Sequence, residues 1–263
     1  MSETIVNDEF IDLKLNDCIE SLRKEYEKEY EIIEGFIKIF RLIEEFMEKK
    51  GNTQQNVFLL ASMIQLNKLY QSAILLLERG LKEPAYVLIR TILDVIFKVI
   101  EVIRNKNYVT DLLIEQEYEM KNTLIDIKKN KLFDMISEDE VNKQIRACDK
   151  KINKRSKPNT KSYYIADKNG MKKEYILYRL QCEYTHFSTS VIGSIIKITE
   201  NECLLDGNFQ LENFKESVAW LISITATVFP IILNEYLKED SLILEYKSFL
   251  EKFENNFKDL IIQ

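Results

Sequence analysis

The chain has 263 residues, 46% of them hydrophobic, with three prolines and six glycines. It is long enough for one large helical domain and too poor in breakers for a many-stranded sandwich with frequent turns. One histidine and four scattered cysteines, Cys18, Cys148, Cys182 and Cys203, exclude the usual zinc ligand sets, and no GxxxxGK[ST], GxGxxG or HExxH motif offers P-loop, dinucleotide or zinc-protease chemistry.

The opening residues, MSETIVNDEF, lack the basic and apolar regions of a signal peptide, so a cytoplasmic protein with reduced thiols is expected. Apolar residues then recur at steps of three and four over 9–49: Leu15, Ile19, Leu22, Tyr26, Tyr30, Ile33, Ile37, Phe40, Ile43 and Met47. This predicts one very long helix, ended by Gly51. It exceeds the usual length of a bundle helix. Either it projects and pairs with a second copy, or it kinks within the chain. Asn52 or Thr53 caps the next helix, which runs to about Arg79 and stops at Gly80. Pro84 fits the first turn of a third helix, where a missing N–H costs nothing, and that helix reaches about Asn105. A fourth follows Thr110 and fades at Lys128-Lys129-Asn130.

Ser137-Glu138-Asp139-Glu140 is a capping-box pattern that opens a short polar helix. Lys157-Pro158-Asn159 breaks it, and Asn169-Gly170 closes a loop. The next helix starts near Lys173, carries YRLQCEYTHFS, and is expected to continue through Val191 to Ile198. Asp206-Gly207-Asn208 marks a turn. Residues 217–234 hold no charge but are interrupted by Ser223, Thr225, Thr227 and Pro230. That composition favours a buried core helix over a membrane span, and no membrane association is expected. Asp240 or Ser241 caps a last amphipathic helix. The sum is an all-α bundle of about eight helices without a convincing strand. Residues 1–52 form the long helix, and 53–263 form the bundle domain with a basic insertion around 143–173.

Charge is unevenly spread. The whole chain is −6, yet residues 143–173 contain eleven basic residues against Asp149 and Asp167, a balance of +9 that leaves −15 elsewhere. Lys150, Lys151, Lys154 and Arg155 supply a candidate phosphate-binding surface. Tyr163 and Tyr164 add rings on which unpaired bases stack. The bland alternative is a solvated lysine-rich insertion.

The one histidine, His186, follows Arg179 by seven residues. Seven helical steps fall within about 20° of two full turns, which puts both side chains on one face, roughly 10 Å apart along the axis. A neutral imidazole can take the proton of an RNA 2′-hydroxyl, and the arginine can hold the phosphate as charge builds; no metal or cofactor is required. Glu183 lies four after Arg179 and competes for it. Tyr178 and Cys182 line the same side as His186. Earlier in the chain, Arg90 and Asp94 sit four apart in an otherwise apolar helix. Charges there need partners. Either they pair locally, or both face the cavity of His186, where Asp94 orients the imidazole and Arg90 binds an anion.

The stretch ERGLKEPAYVLIRTILD, followed later by YRLQCEYTHFS, resembles a bacterial family of helical proteins described as a domain of unknown function (five-six-seven-seven). The matching positions are Gly80, Ala85, Arg90, Thr91, Leu93 and Asp94, then Tyr178, Cys182, His186 and Ser188. The same features resemble the wider HEPN group of helical domains, many of them metal-independent ribonucleases of toxin, CRISPR and phage-defence systems. Their motif is an arginine, four to six residues, then a histidine, and Arg179 and His186 match its longest form. The chain departs from the group at Leu180, where a polar residue usually follows the arginine. The resemblance implies an endoribonuclease, with Arg179 and His186 as its catalytic residues. It also implies RNA as substrate, a homodimer that completes the site, and an antitoxin or other defence-complex partner. Two other readings stand beside it: a non-catalytic helical protein that binds a small anion, nucleotide or peptide, and a structural subunit acting through the long helix.

Overall fold

The computed structural model describes residues 15–134, 136–185, 196–198, 203–205 and 214–261. Among these the chain forms ten α-helices and one short hairpin of strands. The first two helices, α1 (Leu15–Glu25) and α2 (Glu27–Lys49), are the expected long helix bent at Tyr26. The bend is the intramolecular kink, because the backbone bonds Tyr26 N–Leu22 O (2.9 Å) and Tyr30 N–Tyr26 O (3.1 Å) carry the helical ladder through it. It brings Arg23 onto Glu78, at 2.8 Å.

Helix α2 is not a free arm. Ile32, Ile33, Phe36, Ile39, Phe40, Ile43 and Met47 are buried in the same core as α3 (Gln54–Glu78) and α4 (Lys82–Arg104). Gly35 allows the closest approach: a Cβ there would stand 2.0 Å from the Phe249 ring of the last helix. Thr53 caps α3 by accepting from Asn56 N at 3.1 Å. Gly80 turns the chain at φ 68°, in the left-handed region that favours glycine, and Pro84 falls in the first turn of α4.

Asn56 ties three elements together. Its Nδ2 donates to Met47 O (2.7 Å) and Gly51 O (2.6 Å) at the end of α2, and its Oδ1 accepts from Tyr236 OH (2.7 Å). This buried amide therefore has both ends satisfied, as burial demands.

Helix α5 (Tyr108–Lys129) and helix α6 (Glu138–Ile152) form a hairpin with its own small core of Leu124, Val141 and Cys148. Ser137 caps α6 by accepting from Glu140 N at 3.3 Å. The loop expected after Pro158 contains a two-turn helix, α7 (Ser162–Lys168), which packs on α4 through buried Ile165 and Ala166. Helix α8 (Lys172–Thr185) follows. The expected run of helix to Ile198 is corrected: Ile196–Ile198 is a strand, paired antiparallel with Cys203–Leu205 in the register Ile196↔Leu205. A β-branched run favours the extended form once a partner strand is in place.

Helix α9 (Phe214–Ile231) continues into a π-helical turn, Ile232–Leu237. It is long and apolar enough to cross a membrane by composition, yet 61% of its apolar window is buried inside the bundle. Val218, Leu221, Ile222, Val228 and Phe229 face α2, α3, α4 and α10 (Asp240–Ile261). Pro230 has no N–H for the carbonyl four residues earlier, and that carbonyl, Ala226 O, accepts from Tyr246 OH at 3.3 Å.

Candidate functional site

Helix α4 buries Ile89, Ile92, Leu93, Ile96, Phe97 and Ile100. Arg90 and Asp94 lie at the edge of that face, half-buried, where α7 and α8 cross. Arg90 Nη2 donates to Tyr178 OH at 2.9 Å, and its Nε donates to Cys182 Sγ at 3.2 Å. The guanidinium carbon lies 4.9 Å from the Tyr178 ring centroid. Tyr178 and Cys182 are one turn apart, so a single arginine grips one face of α8. Burial pulls the Arg90 guanidinium down. The bond to Cys182 and the fields of Tyr178, Cys182 and Asp94 outweigh that effect and leave it raised. The Tyr178 ring also meets Phe97 at 5.9 Å and stacks on Tyr175 at 5.6 Å.

Arg90 and Asp94 do not form the local i,i+4 ion pair weighed from sequence; each takes other partners. Asp94 Oδ2 takes Lys98 Nζ at 2.7 Å, and Oδ1 accepts from the Ser162 hydroxyl of α7. Arg90 is thus free to turn to α8, while Asp94 helps to fasten α7. Sequence reasoning missed Lys98 and Ser162. The i,i+4 spacing of Lys98 after Asp94 was a readable signal; Ser162, in the presumed loop, offered none.

The two remaining charged candidates of α8, Arg179 and Glu183, are exposed. Arg179 has no hydrogen-bond or ion-pair partner among the described residues. Leu180 beside it is 53% exposed. His186 and Ser188 lie outside the described residues. Gln181 is fully buried, and neither of its amide atoms has a hydrogen-bond partner among the described residues. It too escaped sequence reasoning, since a glutamine in a polar helix carries no mark of burial.

The basic stretch is partly neutralised by carboxylates of the fold. Lys151 pairs with Glu117 (2.7 Å), Lys157 with Glu119, Lys168 with buried Glu101, Lys172 with Asp167 (2.8 Å) and Lys143 with Glu140 (3.4 Å). The bond from Lys151 holds the Glu117 carboxyl below its ordinary value. Of the candidate RNA ligands, Lys150, Lys154 and Arg155 are exposed and have no carboxylate partner among the described residues. Tyr163 is 60% exposed, with its ring 5.3 Å from that of Tyr175, and Tyr164 is 49% exposed.

Two of the cavities among the described residues hold polar clusters. One, of about 450 Å³, lies between α1, α2 and α3, with the Arg23–Glu78–Tyr30 cluster in its wall. The other, of about 390 Å³, lies between the α4–α5 corner and residues 155–168. Among the described residues no three His, Cys, Asp or Glu side chains stand together as a metal site.

Arg90, Asp94, Tyr178 and Cys182, with Arg179 and His186, all fall within residues 56–203, which match the model of a family described as a family of unknown function, DUF5677. No curated protein and no solved structure matches the chain. The match covers more than half of the 263 residues, and the chain belongs to the DUF5677 family.

Proposed function

We propose that the chain is a metal-independent endoribonuclease of the HEPN type, working in the cytoplasm within a toxin–antitoxin or phage-defence system. The observation that carries this reading is Arg179. It is exposed on a helix that Arg90 pins to α4, and it has no partner among the described residues. An arginine held on a rigid element and left unpaired suits a phosphate ligand. The chemistry then follows. The His186 imidazole takes the proton from a 2′-hydroxyl, and that oxygen attacks the adjacent phosphorus. The 5′-oxygen leaves with a proton from an imidazolium, while Arg179 stabilises the charge on the phosphoryl oxygens. The products are a 2′,3′-cyclic phosphate and a 5′-hydroxyl. A homodimer supplies a second His186, so that one imidazole serves as base and the other as acid.

RNA cleavage by the purified protein in EDTA tests this. Wild type is expected to cut and leave cyclic phosphate ends. His186→Ala and Arg179→Ala are expected to lose about 10²–10⁴-fold. Equal cutting by wild type and His186→Ala would sink the assignment. A second reading, a non-catalytic binding subunit of a defence complex, is favoured by the exposed Ile176 (61%) and Leu180 (53%) beside Arg179. It expects intact partner binding with His186→Ala and loss with Leu180→Asp.

A further inference from the structure

The basic stretch does more than spread charge over a surface, because its fold closes the cavity of about 390 Å³ against the start of α5. That volume lies within the range of small-ligand pockets. Ile114 and Pro158 supply apolar wall, and Tyr164 lines the cavity while its ring remains half in solvent. Tyr108, at the first position of α5, also lines it, and its buried hydroxyl has no hydrogen-bond partner among the described residues. Asp111 lines it too, with no hydrogen-bond or ion-pair partner among the described residues. Asn153 and Lys154 both take positive φ, 47° and 59°, and this double left-handed turn delivers Arg155 to the cavity. The Arg155 carbonyl is fixed by Tyr118 OH at 2.5 Å, whereas its guanidinium has no carboxylate partner among the described residues.

A mainly polar cavity with a patch of apolar wall, an aromatic ring at its side, an acceptor inside and a guanidinium without a carboxylate partner among the described residues fits one chemical unit. That unit is a nucleotide with its base unstacked. We propose that this cavity takes a single base of a single-stranded RNA, stacked on Tyr164, with Arg155 on the flanking phosphate and Asp111 facing the base edge. A carboxylate only accepts hydrogen bonds, and uracil's one base-edge donor, N3–H, is flanked by two carbonyl oxygens that repel a carboxylate, so Asp111 favours bases that present an exocyclic amino group. Lys150 and Lys154, also without carboxylate partners among the described residues, extend the phosphate path toward the end of α6. The inference rests on the reading of the chain as an RNA-acting protein, but it concerns binding and not cleavage.

Fluorescence anisotropy with labelled 2′-O-methyl hexamers of A, C and U tests it, since these strands lack the hydroxyl that cleavage needs. Wild type is expected to bind the A and C strands several-fold more tightly than U. Tyr164→Ala is expected to weaken binding about tenfold, in line with the loss of one stacked base. Arg155→Ala is expected to weaken all strands alike and to lower the salt dependence by about one phosphate contact. Asp111→Asn is expected to erase the preference against U. Arg155 and Tyr164 are exposed, so their variants should melt with wild type, and this is to be checked in the same samples. No binding by wild type, or binding untouched by Arg155→Ala and Tyr164→Ala in folded protein, overturns the pocket. A mononucleotide that competes as well as a hexamer overturns the assignment to a strand. Hexamer binding that responds to these variants in a protein that cuts no RNA upholds the pocket and removes the nuclease reading alone.

Discussion

Replacing Arg90 by methionine tests how α8 is held. The substitution keeps most of the apolar stem and removes the N–H groups that reach Tyr178 and Cys182. A hydrogen bond to a charged group contributes about 1.5–3 kcal/mol, and a guanidinium near an aromatic ring about 0.5–1 kcal/mol where solvent reaches it. Arg90 is only half-buried, and methionine avoids the cost of desolvating a charge. The net loss is therefore expected near the low end, about 2 kcal/mol, or roughly 4–8 °C in Tm for a chain of this size. Urea unfolding followed by far-UV circular dichroism measures it, provided the slope with denaturant is unchanged. Tyr178→Phe and the double variant complete a cycle, and the coupling between the two positions is expected at about 1 kcal/mol. Coupling within the roughly 0.3 kcal/mol of simple additivity would refute the claim that Arg90 acts through Tyr178. In the nuclease reading Arg90→Met also lowers cleavage, because α8 carries Arg179. A variant that cuts as wild type while losing stability would show that docking and activity are separate.

Asn56→Ala removes three hydrogen bonds from a buried amide, and about 3 kcal/mol of stability should go with them; a loss under about 1 kcal/mol by urea unfolding would show that the latch contributes little. Gln181→Met takes away an amide that is buried without hydrogen-bond partners among the described residues and is expected to raise stability by about 1–2 kcal/mol. A lowered midpoint would mean that the amide has a partner the described residues do not supply. Arg104 holds the Glu235 carboxyl below its ordinary value of 4.5, chiefly by hydrogen bonding, against an opposing effect of burial. The stability from this pair is fully present above the ordinary carboxylate range and is lost as pH falls through the lowered value. Wild type and Glu235→Gln should therefore differ at pH 7 and converge once the pH has fallen below the lowered value of the carboxyl, and a gap that persists in acid would assign the difference to something else.

Features written into neighbouring residues were legible. Thr53, Gly80, Pro84 and Ser137 stand where their local chemistry predicts, because a cap or a left-handed turn is decided within three or four residues. The all-α class was legible for the same reason, since step-three and step-four periodicity needs no knowledge of what lies opposite. The strand Ile196–Ile198 was not, because its extended form depends on a partner strand. Helix α7 was hidden too: it is short and stands between a proline and a glycine turn, and its buried face, Ile165 and Ala166, is defined only by α4.

The candidate site divides along the same line. Arg90, Tyr178 and Cys182 could each be named from the motif, but their meeting spans 88 and 92 residues of chain. The alternative partner, Asp94, was closer in sequence and lost to that contact. The charge count of +9 over residues 143–173 treated every lysine as available. Five of them are paired in the fold, two with carboxylates of α5 that lie 34 and 38 residues away. Apart from Lys168 with buried Glu101, such largely exposed pairs contribute little to stability, yet all five occupy cations that would otherwise meet phosphate. A polyanion approaching this face therefore meets chiefly the exposed cations left without a carboxylate partner among the described residues: Arg146, Lys150, Lys154, Arg155, Lys161 and Lys173. Of these, Lys150 stands in the last turn of α6, Lys154 and Arg155 follow it, and Arg155 lines the cavity beside Tyr164. Pairing thus leaves Arg155, with Lys150 and Lys154 near it, as the unpaired cations beside the proposed base pocket.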